Sequence, residues 1–206
     1  MTDALDALAS GASRLLGRTL GDAELKSFDK YLKLLQKWQK AQRLIGSADA
    51  GWIVENLFLD SLLFLKVLPE RFGSLVDVGS GAGVPGIPIK IVRPGVRVAL
   101  IESRAKRASF LSAVVRELEL RDVAVVRARV EQVMEQHPRS FDAAVMRCAG
   151  AGGDIARFAA CLVADEGTLV VSGPPDRRPL DEGEWVEVDG VEPGTRRRFV
   201  IYRRTA

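Results

Sequence analysis

The sequence predicts an α/β fold with a mostly parallel, seven-stranded sheet and an N-terminal helical extension. The first observation is that short apolar segments alternate with helical patterns after Pro69, which is typical of parallel strands joined by right-handed crossovers. The second is that the apolar strand Leu75–Val78 runs into a cluster of glycines, where such sheets bind ligands. The third is that residues 1–68 show helical periodicity instead. We therefore expect a helical extension over residues 1–68, packed on a single compact unit over residues 69–206.

Three helices are predicted in the extension. They are a loose helix within residues 1–20, to which we assign no function, a helix from Asp22 to about Arg43, and a helix from about Trp52 to Val67. Asp22 can cap the second helix, and the glycines of Gly46–Gly51 predict a turn before the third.

The remaining segments give the strands and helices of the sheet domain. The five predicted parallel strands are Leu75–Val78, Arg97–Ile101, Val123–Arg127, Phe141–Met146 and Gly167–Val171. The predicted helices run from about Val84 to Val92, Arg104 to Leu120, Val130 to Glu135 and Ile155 to Val163. Two further strands, Trp185–Val188 and Phe199–Tyr202, predict an antiparallel pair at the sheet edge.

The glycine cluster predicts a cofactor site. Read from the strand it has the pattern DxGxGxG, formed by Asp77, Gly79, Gly81 and Gly83, although Gly81–Gly86 also fits the GxGxxG pattern of dinucleotide sites. In a dinucleotide fold the first glycine of the GxGxxG pattern follows the strand directly. Here Gly81 comes only after Gly79 and Ser80, and the carboxylate of Asp77 lies in the end of the strand. That carboxylate would repel a pyrophosphate but can hold glycine amides or a ligand ammonium, and the helix starting near Val84 would point free amides at the ligand. A cationic, amino-acid-bearing cofactor such as S-adenosylmethionine is therefore predicted; the alternative is a tight turn that binds nothing.

Further candidates follow the other strands. Glu102 ends the second strand, where a carboxylate can take both hydroxyls of a ribose, or alternatively stabilise the helix that begins there. Backbone amides after the third strand could contact an adenine ring. Arg147 follows the fourth strand beside the expected methyl group, and it is our candidate catalytic residue because a charge after an apolar strand needs a partner. The predicted cofactor-binding residues are Asp77, Gly79, Ser80, Gly81, Gly83, Glu102, Ser103, Arg129, Val130, Glu131 and Arg147.

Composition excludes several classes of protein. No apolar stretch is long enough to span a bilayer and no leader pattern opens the chain, so we expect a cytoplasmic protein without a membrane partner. Cys148 and Cys161 form no CxxC pair and His137 is the single histidine, so a zinc cluster and a histidine-based triad lack their parts and no metal is predicted. His137 fits a solvated loop. We expect a monomer.

The net charge of +3 is too small to indicate a binding partner, but the distribution of the basic residues is informative. Five lysines recur at helical spacing opposite an apolar stripe, and we call them the lysine stripe: Lys26, Lys30, Lys33, Lys37 and Lys40. The tail adds Arg196, Arg197, Arg198, Arg203 and Arg204. The lysine stripe is either an ordinary solvated face or a surface that follows phosphates.

Four segments together resemble one family. LxLDSLL (from Leu57), VDVGSGAGVPGIPIKIVRP (from Val76), ESRAKRASFL (from Glu102) and ARVEQ (from Ala128) are similar to the GidB (RsmG) family of bacterial small-subunit ribosomal RNA methyltransferases. The resemblance covers roughly residues 31–173. It implies a class I (Rossmann-like) methyltransferase fold and methyl transfer from S-adenosylmethionine to guanine N7 in 16S ribosomal RNA.

The resemblance also implies roles by position. Asp77 and the glycines at 79, 81 and 83 would hold the methionine part, Glu102 the ribose, and Val130 with Glu131 the adenine neighbourhood. Arg147 falls on the arginine of the family's SRA segment, near the target base, and Arg197 on a basic tail position that meets RNA. Departures from the family occur at Leu57 (commonly histidine), Arg43 (asparagine), Met146 (serine) and Ser172 (lysine).

The predicted partner is 16S ribosomal RNA or the assembling small subunit. The candidate RNA-binding residues are Lys33, Lys37, Arg104, Lys106, Arg107 and Arg197. Three alternatives remain open: a methyltransferase of this fold with another RNA or protein target, an NAD-dependent oxidoreductase, and an RNA-binding remnant without turnover.

Overall fold

The computed structural model of the 206-residue chain describes residues 3–147, 153–173 and 182–205, without the side chains of residues 41, 42, 153 and 154. Seven strands form one sheet: β1 Ser74–Val78, β2 Arg97–Ile101, β3 Val123–Val126, β4 Phe141–Met146, β5 Val163–Ser172, β6 Glu184–Asp189 and β7 Arg196–Arg203. The helices are α1 Asp3–Leu16, α2 Asp22–Gln42, α3 Ala50–Ile53, α4 Asp60–Leu62, α5 Gly86–Val92, α6 Ala105–Glu117, α7 Val130–Gln136 and α8 Gly153–Cys161.

The order of strands across the sheet is β3-β2-β1-β4-β5-β7-β6. The first five strands are parallel, and β7 lies antiparallel between β5 and β6. Chain order reverses between β1 and β4, so the crevice beyond their carboxyl ends is where a doubly wound sheet binds its ligand. The predicted seven-stranded, mostly parallel sheet and its antiparallel edge pair are confirmed.

The third helical segment, residues 50–66, changes character along its length. α3 leads into a π-helical stretch at Val54–Leu59, then α4, and finally a 3-10 turn at Leu63–Lys66. The predicted helix from Trp52 to Val67 is therefore confirmed in position, while its irregular hydrogen bonding was not predicted.

The helical extension and the sheet share one buried apolar cluster. Leu8 of α1, Phe28 of α2 and Phe58 of the π-helical stretch are fully buried in the same cluster as Leu75 of β1 and Phe199 of β7. A second cluster covers the other face of the sheet and includes Val76, Ile101 and Leu162. Both faces of the parallel strands are thus covered, which explains their continuous apolar sequences.

Several predicted boundaries differ from the structure. α5 begins at Gly86 instead of Val84, α6 ends at Glu117 instead of Leu120, and β7 is longer than the predicted strand Phe199–Tyr202. The helix predicted to reach Val163 ends at Cys161, and the following strand begins at Val163 instead of Gly167. The register with β4 shifts between Phe141 and Ala143, so the early residues of β5 bulge and hide the strand pattern. The loose helix within residues 1–20 is a regular helix, in which Gly11 allows close contact because a Cβ there would lie 2.6 Å from Leu59 Cδ1.

No helix in the described part of the chain is long and apolar enough to cross a membrane.

Candidate active site

The residues predicted to bind a cofactor follow the carboxyl ends of adjacent strands. Asp77 on β1 is level with Leu100 on β2 and Val145 on β4, so the three strands end together. The glycine-rich loop then crosses toward β2, since the amides of Gly79 and Ser80 both donate to the carbonyl of Ile101, each at 2.9 Å. This arrangement brings Asp77 and Glu102 to the two sides of one loop.

Asp77 lies fully buried beneath the loop. Its Oδ2 accepts a hydrogen bond from the Gly86 amide at 2.9 Å, while its Oδ1 has no hydrogen-bond partner among the described residues. Burial raises the pKa of Asp77 to about 7, although the hydrogen bond from Gly86 opposes the rise. Glycine is required at position 86 because a Cβ there would lie 2.7 Å from Asp77 Oδ2. A buried carboxylate with one free oxygen suits a cationic ligand group.

Glu102 is held from two directions. Its Oε2 accepts the amide of Gly81 at 3.0 Å, and its Oε1 accepts the amide of Arg104 at 2.7 Å. The guanidinium of Arg107 lies 4.0 Å from Oε2, and Glu102 is almost completely buried. Because Arg104 directly precedes α6, the carboxylate also serves the helix start that the alternative interpretation proposed. The helix-start role is thus observed, and the ribose-binding role of Glu102 stays a prediction.

Two positions in the loop require glycine for different physical reasons. Gly81 has φ +57°, a left-handed conformation that suits glycine, and a Cβ there would meet its nearest atoms at 3.7 Å. Gly83, at φ +90°, is instead closely packed, since a Cβ there would lie 2.8 Å from the hydroxyl oxygen of Tyr31. The prediction that the next helix offers free amides is wrong for two of them, because Gly86 donates to Asp77 and Ile87 donates to the Gly83 carbonyl at 2.8 Å.

Tyr31 connects the helical extension to this loop. Its hydroxyl, fully buried, donates a hydrogen bond to the carbonyl of Ala82, and its ring stacks on Phe58 with centroids 5.1 Å apart. Burial raises the pKa of the Tyr31 hydroxyl well above its usual value. The hydroxyl therefore stays protonated and acts as a donor.

Arg147 makes its hydrogen bond and ion pair with the helical extension, and its charge also lowers the pKa of Asp77 beneath the glycine-rich loop. Its Nη2 donates to the carbonyl of Asn56 and lies 3.3 Å from Oδ2 of Asp60. Asp60 also pairs with Arg197, whose Nε is 2.9 Å from Oδ1 and whose Nη2 donates to the Ser172 hydroxyl at 2.7 Å. The two arginines predicted for separate roles, at the methyl group and at RNA, thus share one carboxylate.

Residues after β3 lie next to Glu102, because the Glu102 amide donates to the Val126 carbonyl at 3.0 Å. Val130 is buried, Glu131 is partly buried and Arg129 is exposed. The Arg129 amide donates to the side chain of Gln132 at 3.2 Å, so it is engaged within the protein. Ser103 is exposed at the mouth of the site.

The lysine stripe and the tail arginines differ in how many of their charges are paired within the protein. All five residues of the lysine stripe are exposed, and Lys33 pairs with Asp29 at 2.6 Å. Arg104 and Lys106 are also exposed, whereas Arg107 leans toward Glu102. The tail arginines make contacts within the protein: Arg196 with Asp189, Arg197 with Asp60, Arg198 with Glu187, Arg203 with Glu184 and Arg204 with the Ala160 carbonyl. The lysine stripe is therefore the freer basic surface.

Sequence reasoning missed Tyr31 and Asp60. Both carried a signal, since Tyr31 places a hydroxyl in an apolar helical stripe and Asp60 is a lone carboxylate in an apolar segment. Each polar group requires a partner, but the sequence does not say where the partner lies. Cys148 falls outside the described residues, and no group of metal-binding side chains occurs among the residues that are described.

Comparison with known sequences agrees with these features. The family model described as rRNA small subunit methyltransferase G (GidB) matches residues 24–174. A ribosomal RNA small subunit methyltransferase G of Roseiflexus sp. (strain RS-1) is 38% identical over 152 residues, covering 73% of this chain and 64% of that protein. One of Stutzerimonas stutzeri (strain A1501) is 35% identical over 210 residues, covering 97% of this chain and 95% of that protein. The chain thus spans just under two thirds of the first relative's length and nearly all of the second's.

Solved structures share the fold at low sequence identity. TYW2 of P. horikoshii, in complex with MeSAdo, superimposes with a TM-score of 0.60 at 15% identity, over 79% of this chain and 65% of that one. The precorrin-6y C5,15-methyltransferase of Geobacter metallireducens gives 0.52 at 16% identity, over 80% and 92%. These likenesses identify the architecture as Rossmann-like. The family match and the relatives show that this chain belongs to the GidB family, the rRNA small subunit methyltransferase G proteins.

Proposed function

We propose that this chain is an S-adenosylmethionine-dependent methyltransferase that modifies guanine N7 in 16S ribosomal RNA. The observation that carries the proposal is the pair of buried carboxylates, Asp77 and Glu102, placed on either side of a glycine-rich loop at the switch point of the sheet. Membership of the GidB family supports the reaction and the target.

The residues present fit the cofactor. The free Oδ1 of Asp77 is a buried acceptor suited to an ammonium group. Glu102 uses one hydrogen bond on each oxygen, and each oxygen retains capacity for a ribose hydroxyl. We propose that the remaining contacts come from the other predicted cofactor-binding residues: Gly79, Ser80, Gly81, Gly83, Ser103, Arg129, Val130 and Glu131.

Methyl transfer to guanine N7 requires no proton transfer by the protein. When bound, S-adenosylmethionine supplies a methyl group on a positively charged sulfur. Guanine N7 has a lone pair and no proton, so the chain needs no general base. Its residues have to align the base and exclude water, which is catalysis by orientation. Arg147, at the end of β4, is our candidate for the group nearest the base, and replacing it with alanine should lower methyl transfer while sparing cofactor binding.

The proposed substrate indicates where the protein works and which surface binds RNA. We propose that the protein acts in the cytoplasm as a monomer, on 16S ribosomal RNA or the assembling small subunit. The helical extension over residues 1–68 would work with residues 69–206 as one compact unit, and the shared apolar cluster supports this. The exposed lysine stripe, with Arg104 and Lys106, is the favoured RNA surface.

Cofactor identity is tested by titrating the protein with S-adenosylhomocysteine and with NADH. We expect binding of the first and not of the second, because the carboxylate of Asp77 repels a pyrophosphate. Binding of NADH alone would instead favour the oxidoreductase alternative.

Target identity is tested by mass spectrometry of ribosomal RNA from a strain that lacks the gene. We expect loss of one 7-methylguanosine from 16S ribosomal RNA and its return on complementation. Unchanged 7-methylguanosine would reject this substrate and favour another target of the same fold. Cofactor binding without transfer to any small subunit would favour the RNA-binding remnant, in which the departures at Met146 and Ser172 matter.

A further inference from the structure

Asp60 occupies an unusual position for a carboxylate. Its neighbours Leu59 and Ser61 are buried, and its own side chain is only 15% exposed. Asp60 directly follows the π-helical stretch Val54–Leu59, and its amide donates to the carbonyls of Glu55 and Leu57. π-Helical turns are rare and often occur at functional sites. Asp60 of the helical extension therefore lies at the edge of the sheet where the parallel strands have their carboxyl ends.

Two arginines from different strands meet at this carboxylate. Arg197 of β7 approaches Asp60 with two nitrogens, Nε at 2.9 Å from Oδ1 and Nη2 at 3.3 Å from Oδ2. Arg147, directly after β4, approaches with Nη2 at 3.3 Å from Oδ2. Its side chain is 22% exposed and that of Arg197 is 25% exposed. Asp60 therefore joins the helical extension, β4 and β7.

The charges make this junction depend on Asp60. Two guanidinium groups face one carboxylate, and among the described side chains neither arginine pairs with a second acid. Burial lowers the pKa of Arg147, the charge of Asp60 opposes that effect most, the charge of Arg197 adds to it, and Tyr31 and Asp77 oppose it to a smaller extent. Without the carboxylate, two partly buried like charges would repel each other and turn toward water.

We propose that Asp60 is a positioning residue for methyl transfer, which fixes the guanidinium of Arg147 at the end of β4 by binding it together with Arg197. The inference rests on the proposed function, because it assigns Arg147 to the neighbourhood of the target base. In this role Asp60 needs no contact with the substrate. It acts through the two arginines, and small displacements of an aligning group can reduce rates severely.

The test replaces Asp60 with asparagine, which keeps the shape and removes the charge. We expect the methyl-transfer rate constant on unmethylated small subunits to fall roughly tenfold to a hundredfold, since misplacement near the reacting atoms has effects of this size. The affinity for S-adenosylhomocysteine should change much less. Asp60→Glu, which keeps the charge, should recover part of the rate. The matched control is Asp165→Asn, because Asp165 pairs with Arg139 at 3.3 Å on the exposed surface, and its rate should equal that of the wild type.

A double-mutant cycle separates positioning from a general structural role. If Asp60 acts through Arg147, then Asp60→Asn should cost little further rate in a protein that already carries Arg147→Ala. Additive losses, or an unchanged rate in Asp60→Asn alone, would overturn the inference.

A spectroscopic arm keeps the inference testable if the proposed substrate is wrong. Arginine side-chain NMR should give dispersed guanidinium N–H signals for Arg147 and Arg197 in the wild type, and Asp60→Asn should move both sets toward the positions of exposed arginines. If the wild type transfers no methyl group to small subunits, the proposed function fails, while the shift of both signals still supports the junction. Signals that stay in place in Asp60→Asn would overturn the junction itself.

Discussion

The hydroxyl of Tyr31 on α2 donates a hydrogen bond to the carbonyl of Ala82 in the glycine-rich loop, across a sequence separation of 51 residues. The ring of Tyr31 is fully buried and lies against Phe58. A helix that precedes the sheet therefore supports the loop that we propose binds the cofactor. The loop's conformation depends on the helical extension as well as on its own glycines.

Replacing Tyr31 with phenylalanine should weaken cofactor binding. The change leaves the buried Ala82 carbonyl without its donor, which should cost about 1 to 3 kcal/mol of unfolding free energy. We expect calorimetry to show a loss of S-adenosylhomocysteine affinity of roughly tenfold, or 1.4 kcal/mol. Tyr202→Phe is the matched control, because Tyr202 is the chain's other tyrosine and lies on β7 away from the loop. Equal affinities for the two variants would contradict this role.

Cofactor binding should depend on pH through Asp77. Its pKa of about 7 in the folded protein means that the carboxyl is largely protonated below neutrality. A cationic ligand prefers the carboxylate, so affinity should increase with pH up to about 7 and then level off. Titrations of S-adenosylhomocysteine between about pH 5.5 and about pH 8 measure this. Asp77→Asn should abolish the dependence as well as weaken binding, and a persistent slope in that variant would assign it to another group.

The same shift has a consequence for stability without ligand. The folded pKa of Asp77 lies above its ordinary value of 3.8, so the folded state binds the proton more tightly than the unfolded state. The contribution of Asp77 to stability is therefore fully present below about pH 4 and is lost as the pH rises through about 7. Thermal unfolding of the wild type compared with Asp77→Asn isolates this contribution.

Gly81→Val should remove cofactor binding while the fold is retained. Gly81 adopts φ +57°, and a Cβ there would have no neighbour closer than 3.7 Å, so the cost of folding is mainly backbone strain of about 1 to 2 kcal/mol. The added side chain would occupy the space beside Arg107 at the mouth of the site. Gly17→Val is the control, because Gly17 has φ +68° with nothing within 4 Å of a Cβ and lies after α1. Binding by Gly81→Val at wild-type strength would place the cofactor elsewhere.

The sheet and its glycine-rich loop were predictable because their signals are local. Apolar strands, glycines and strand-end carboxylates follow one another directly in the sequence, and Asp77 and Glu102 indeed lie on the two sides of the loop. The contacts of Tyr31 and Asp60 were not predictable, because their partners come from distant segments. The tail arginines show the opposite case. Their charge is evident in the sequence, but their contacts are not, because the pairing of β6 with β7 places acids beside several of them.

RNA binding should be steeply salt-dependent and should involve the lysine stripe. Replacing Lys33 and Lys37 with glutamine should reduce the slope of log affinity against log salt by roughly 0.7 to 0.9 for each phosphate that the protein no longer neutralises. Filter binding to 16S ribosomal RNA at several salt concentrations gives the slope. Lys66→Gln is the control, since Lys66 is exposed but lies outside the stripe. A slope unaffected by the double replacement would mean that the lysine stripe is an ordinary solvated face.

The most direct measurement of the central proposal is a methyl-transfer assay with labelled S-adenosylmethionine, on unmethylated small ribosomal subunits and on naked 16S ribosomal RNA in parallel. We expect label in 7-methylguanosine of at least one of these substrates, and none when Asp77 is replaced by alanine. Label in neither substrate, from a protein that binds S-adenosylhomocysteine, would contradict the proposed reaction.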